Sequence, residues 1–179
     1  MRAFFGLPVP DAQRVELGRH LAACAAKAPE FRWVSEANLH LTMRFLGNVT
    51  EELVAGVAST LSEQKLHGFD VELGHMGAFK RGRLVRVVWI GMEQGLEPAR
   101  GLASIVEAAC VGAGLEAETR PFQPHLTLAR ARGRDGAPLP PLPDPPRLPP
   151  WRATGLVLYQ SHLGRPGAVY EPLRTLRLE

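Results

Sequence analysis

Two periods of apolar residues divide the chain into strands and helices. Met1 to Pro8 is short, aromatic and proline-terminated, which suits a buried strand. Asp11 then offers an N-cap to an amphipathic helix running to about Ala28, where Pro29 follows the stop. Arg32–Ser35 and Leu39–Gly47 read as strands, Thr50 opens a second helix to about Gln64, and Phe69–Met76 returns as a strand. Phe79–Arg83, with Lys80, Arg81 and Gly82, reads as a turn before the β-prone run Leu84–Met92. Leu96–Gly112 has helical spacing, His125–Ala131 is a strand, and Ala153–Ser161 and Val169–Leu178 close the chain as two more. The order strand, helix, strand pair, helix, strands then partly repeats. That echo suggests two similar lobes, with the Leu96–Gly112 helix in the second.

Between the last strands lies the one low-complexity segment, residues 132–150, where eight of the sixteen prolines fall from Pro138 to Pro150. Each proline removes a backbone donor, so this run cannot join a central sheet and reads as an exposed, partly polyproline loop. Two functional alternatives are a ligand for a proline-recognition module and a flap that closes over a substrate through Arg132, Arg134 or Arg147.

Composition narrows the class. With 45% apolar and 22% charged residues in 179, the chain is an ordinary globular protein forming one domain, 1–179. Its net charge of +3 permits a phosphate-bearing partner without demanding one. Of 21 cationic residues only Lys27, Lys65 and Lys80 are lysines, and arginine suits bidentate contact with phosphate. Cys24 and Cys110 have no CxxC spacing and read as small buried hydrophobes of a reducing compartment. The apolar N-terminus is cut short by Pro8, Pro10 and Asp11, well below membrane-spanning length, so a cytoplasmic protein without membrane attachment is expected. No obligate protein partner is evident, and oligomeric state is not legible.

The chemistry rests on a repeated tripeptide, His40-Leu-Thr42 and His125-Leu-Thr127. Alternate residues of a strand share a face, so each motif sets an imidazole beside a hydroxyl, backed by leucines. A lone example is more often a satisfied histidine beside a β-forming threonine. Two at equivalent places make a cleft with two histidines and two hydroxyls. A neutral imidazole takes a proton from water, an imidazolium gives one to a departing oxygen, and the hydroxyls hold non-bridging phosphate oxygens. Histidine serves both roles because its ordinary pKa is near 6.5.

The tetrapeptides His40-Leu-Thr-Met43 and His125-Leu-Thr-Leu128 resemble the paired HxTx signatures of the 2H phosphoesterase superfamily. Trp33-Val, Asn38-Leu-His-Leu-Thr with Phe45-Leu-Gly47, Pro124-His-Leu-Thr-Leu-Ala-Arg130 and Gly167-Ala-Val-Tyr170 more closely resemble the LigT-like RNA 2',3'-cyclic phosphodiesterases, historically called 2'-5' RNA ligases. The resemblance implies an α+β, bilobal, pseudo-two-fold fold, with two antiparallel sheets facing a central cleft and helices outside. One lobe carries 40–43 and the other 125–128. It implies hydrolysis of RNA ends or nucleotides bearing a 2',3'-cyclic phosphate to 2'-phosphomonoesters, without cofactor or metal. His40 is then the acid, His125 the base, and Thr42 and Thr127 the phosphate ligands. The proline-rich insertion departs from the compact family pattern.

Two arginines are further candidates. Arg130 is a phosphate or nucleobase contact only if a bulge follows Thr127, since strict alternation puts it on the leucine side. Arg44 shares parity with His40 and Thr42. The cations Lys80, Arg81, Arg83 and Arg86 read as a solvated turn, Phe4, Phe5, Phe45 and Trp89 as core, and His20, His67, His75 and His162 carry no motif. Competing functions are a metal-dependent hydrolase, disfavoured because neither motif brings a third ligand, a non-catalytic RNA-end binder, and 2'-5' ligation by the reverse reaction.

Overall fold

The apolar N-terminal run forms strand β1 (Arg2–Pro8), whose five central residues are buried. In this computed structural model, which describes residues 1–179, β1 is flanked by β3 (His40–Asn48) and β8 (Gly155–Gly164), and β9 (Gly167–Arg177) follows β8. These four strands form the first lobe. The second holds β7 (Trp151–Ala153), β4 (Phe69–Arg81), β5 (Leu84–Gln94) and β6 (His125–Ala131) in that order, with β2 (Phe31–Trp33) also paired to β6. Every pairing is antiparallel. The lobes meet where β3 and β6 pair through the single couple Leu41 and Leu126, so the nine strands are one hydrogen-bonded sheet, drawn in at its centre.

Three helices complete an α+β fold: α1 (Asp11–Lys27), α2 (Glu51–Ser62) and α3 (Leu96–Gly112). Thr50 caps α2, its hydroxyl accepting the Leu53 N–H at 3.2 Å. Helix α3 packs on β3 and α2, whereas α1 lies against β2. The expectation that Leu96–Gly112 belongs to the second lobe is therefore corrected. Its apolar stripe, Ala99, Leu102, Ala103 and Val106, is buried in the core behind the first motif.

Strand β4 also runs further than its sequence suggests, through Phe79 to Arg81, leaving only a tight turn at Gly82, whose φ is +61°. The proline-rich segment is not a free loop. Ala137 bridges Val85, Leu139 and Leu142 pack on the core, and Leu148 is buried. It covers the face of β4–β5 that carries Met76, Ala78 and Val88, and the two line an open groove of about 640 Å³. No helix is long and apolar enough to cross a membrane.

Candidate active site

His40 opens β3, with Asn38 ending the 3-10 turn just before it. Its Nδ1–H donates to the Asn38 carbonyl at 2.7 Å, which fixes the tautomer and leaves the Nε2 lone pair to accept the Thr42 hydroxyl at 2.8 Å. The ring lies against Phe4 and meets Tyr170 edge-on, with centroids 4.7 and 5.2 Å away. Burial draws its pKa down to about 4; the charges of His125 and Arg130 add to the fall, and the Asn38 contact opposes it.

His125 is built in the same way. Its Nδ1–H donates to the Gln123 carbonyl at 2.6 Å, again two residues upstream, and Nε2 has no protein partner. Phe79 stands edge-on to the ring at 5.0 Å and Trp89 lies 6.2 Å away. Gly77, paired with Trp89, leaves room for the indole: a Cβ there would sit 2.3 Å from it. Burial, then the charge of Arg130, lowers the His125 pKa. At the junction of the lobes, the register through Leu41 and Leu126 sets His40 beside Thr127 and Thr42 beside His125, all on one face.

Bulges decide where the residues just beyond each motif point. On β6, Thr127 pairs with Trp89 and Ala129 with Val88, so Leu128 is the extra residue. Leu128 and Ala129 are both fully buried and Arg130 turns to the face of His125 and Thr127. On β3, Thr42 pairs with Gly6 and Arg44 with Phe5, so Met43 is extra, and a second skip comes at Leu46. Arg44 is thereby turned off the cleft face, contrary to simple parity. It forms an ion pair with Glu107 of α3 at 2.5 Å, donates to Glu118 at 3.0 Å and to the Glu116 carbonyl at 2.7 Å, and is only 11% exposed. Glu107→Ala should lower unfolding stability by about 1–3 kcal/mol by stripping a buried cation of one partner. Its turnover should stay within twofold of the parent. Urea melts and steady-state rates check this, and lost turnover at unchanged stability would return Arg44 to the cleft.

These motifs sit in a chain whose two halves both match one family model, described as LigT like phosphoesterase, at residues 7–89 and 90–170. The chain belongs to that family. Among LigT-like relatives, the Escherichia coli RNA 2',3'-cyclic phosphodiesterase is 32% identical over 176 residues, 97% of this chain and 94% of that protein. One of the same name from Aeropyrum pernix is 36% identical over 105 residues, 59% of this chain and 60% of that protein. The crystal structure of E. coli LigT complexed with 3'-AMP superposes with a TM-score of 0.82 at 29% identity, covering 99% of this chain and 97% of that one.

Within this LigT-like frame, several cleft residues escaped sequence reasoning: Phe79, read as part of a turn, and Trp89, read as core, are half-buried beside His125, and Phe45, also read as core, is exposed. The skip at Met43 puts Phe45 on the cleft face, 5.6 Å from Phe4 and 48% exposed. Phe45 stands five residues beyond His40, as Arg130 stands five beyond His125. That shared offset was the available signal. Phe4 and Phe5 are core as expected. Of the unassigned histidines, His20 is buried with Met76 and Cys24 as its contacts, while His75 and His162 face Glu93 and Glu171. No cluster of three or more His, Cys, Asp or Glu residues is set to hold a metal ion.

Proposed function

We propose that this protein hydrolyses 2',3'-cyclic phosphate ends of RNA to 2'-phosphomonoesters by two-histidine acid/base catalysis without a metal. The observation that carries this reading is the pair of imidazoles, each anchored at Nδ1 by a main-chain carbonyl two residues upstream and so presenting Nε2 as its working nitrogen. Both lie on one face with a threonine beside each. The names of the relatives supply the substrate class, RNA 2',3'-cyclic phosphate.

In the proposed step His125 Nε2 takes a proton from water, which attacks phosphorus in line. His40 gives a proton to O3' as that bond breaks, and the product keeps the phosphate on O2'. Thr42 and Thr127 donate to the non-bridging oxygens, and Thr42 must leave His40 Nε2 to do so. Arg130, on the same face one alternate strand position beyond Thr127, is a phosphate contact outside the acid/base pair, and Phe45 offers an apolar face to the terminal base. Arg44 is given no part in binding substrate. The buried, unpaired Cys24 and Cys110 fit the reducing cytoplasm expected for such an enzyme.

One experiment tests the reaction and its metal independence together. An oligoribonucleotide ending in a 2',3'-cyclic phosphate, incubated with the protein in EDTA, should give a 2'-phosphomonoester with a free 3'-hydroxyl by phosphorus NMR. A mainly 3'-phosphate product would exchange the roles of His40 and His125. Turnover lost in EDTA and restored by zinc or manganese would overturn the metal-free step, and binding without turnover would leave an RNA-end binder.

A further inference from the structure

Strand β2 contributes only three residues to the sheet, and its register sets Arg32 directly opposite Arg130. Directly opposed residues of an antiparallel pair project to the same face with Cβ atoms about 4.5–5.5 Å apart. For Arg130 that is the cleft face, shared with His125 and Thr127 across the bulge at Leu128. The neighbours of Arg32 confirm its side: Phe31 is buried, and Trp33 pairs with the fully buried Ala129 and donates its indole N–H to the Ala28 carbonyl. Both arginines are solvent-exposed, and neither forms a salt bridge with a carboxylate.

Like charges directly opposite one another destabilise a sheet. Six of the other arginines form ion pairs, among them Arg44 with Glu107 and Glu118, Arg81 with Asp135 and Arg152 with Asp70. Two unpaired arginines at opposed positions on one face can bring both guanidiniums to a single anion, and each has the planar donor pair that grips a phosphate. The pair is one alternate strand position beyond Thr127. Such positions are about 7 Å apart, a span on the scale of one nucleotide. Beyond Val87, which pairs with Arg130 on its other side, lies the exposed Arg86, whereas Lys80 and Arg83 line the opposite, proline-covered face.

We propose that Arg32 and Arg130 form a second phosphate subsite. It takes the phosphodiester 5' to the terminal nucleotide, so the preferred substrate is an RNA strand of two or more nucleotides rather than a cyclic mononucleotide. This rests on the hydrolytic reading of the two-histidine cleft. Arg32 binds the strand and takes no part in the chemistry.

The test compares a dinucleotide ending in a 2',3'-cyclic phosphate with the matching 2',3'-cyclic mononucleotide, for the wild-type protein, Arg32→Gln and Arg32→Lys. The wild type should favour the dinucleotide in kcat/KM. Arg32→Gln should lose about tenfold or more with the dinucleotide, stay within twofold with the mononucleotide, and show a salt dependence shallower by roughly 0.7 in log–log slope. Arg32→Lys should retain part of the preference. With a repulsion removed, the free Arg32→Gln protein should melt no lower than the parent. Equal losses on both substrates, no loss on either, or a lower Tm would overturn the subsite. A wild-type protein that turns over neither substrate would instead overturn the hydrolytic reading, so the two failures are distinguishable.

Discussion

Replacing His40 or His125 by alanine should each lower kcat on an RNA 2',3'-cyclic phosphate end by roughly 10² to 10⁴, the usual cost of removing one acid/base group. That span is about 2.7–5.4 kcal/mol of barrier. The double variant should fall far short of the product of the two losses, because both groups act in one displacement. Thr42→Ala and Thr127→Ala should cost less, since each removes a single donor to an oxygen that keeps others. His40 is packed between Phe4 and Tyr170, so His40→Gln, which keeps most of the volume, guards against a loss that is only misfolding. Near wild-type turnover in either folded histidine variant would sink the two-histidine cleft.

The second large effect is on pH. In the empty cleft the pKa of His40 is about 4 and that of His125 also lies below its ordinary 6.5. Catalysis needs His40 protonated and His125 neutral; in the free cleft burial lowers the His40 pKa the more, so this is the minor singly protonated form, and it rises and falls with pH together with the major one. Above the higher of the two values the doubly neutral form dominates, and the singly protonated form falls tenfold per pH unit. Because kcat/KM reports the free enzyme, it should already be falling at pH 7 and drop about tenfold by pH 8. A bound phosphodiester is an anion and favours the imidazolium, so the alkaline limb of kcat should lie at higher pH than that of kcat/KM. A kcat/KM flat from pH 6 to 8 would show that the free cleft does not hold its histidines neutral. The same shift sets a stability slope. Between pH 6.5 and about 4 the unfolded chain binds more protons than the folded one, so stability falls as pH is lowered through that window.

Much of this site was legible because it rests on local periodicity. His40 with Thr42 and His125 with Thr127 need only alternation along a strand, and the buried leucines at 39, 41, 126 and 128 follow from it. Arg44 and Arg130 were not settled by that rule, because each lies beyond a bulge that changes which face a residue meets. Nothing in Thr-Met-Arg or Thr-Leu-Ala announces a bulge; it comes from the partner strands, where Gly6 with Phe5 and Trp89 with Val88 set the pairing. Phe45 was hidden for the same reason. The placement of α3 was illegible in a different way, since an apolar stripe says that a helix is covered but not by which sheet. The proline run does stay out of the central sheet, but its leucines gave it a place on the back of β4–β5 that composition alone did not reveal.

The two lobes are not the two halves of the chain, and this bears on how the protein is made. Residues emerging first supply β1 and β3 to one lobe but β2, β4 and β5 to the other, and the first lobe closes only when β8 and β9 arrive at the far end. Until then one edge of β1, with Phe4 and Phe5, has no neighbour, which is the kind of apolar open edge that invites pairing with another molecule. Folding dominated by contacts between distant parts of the chain is slow, on the order of milliseconds to seconds. A ribosome-bound chain stalled before residue 155 therefore has both HxT motifs in hand and no finished sheet to hold the first of them. Such a truncated product should be inactive and, with that apolar edge open, in need of chaperones.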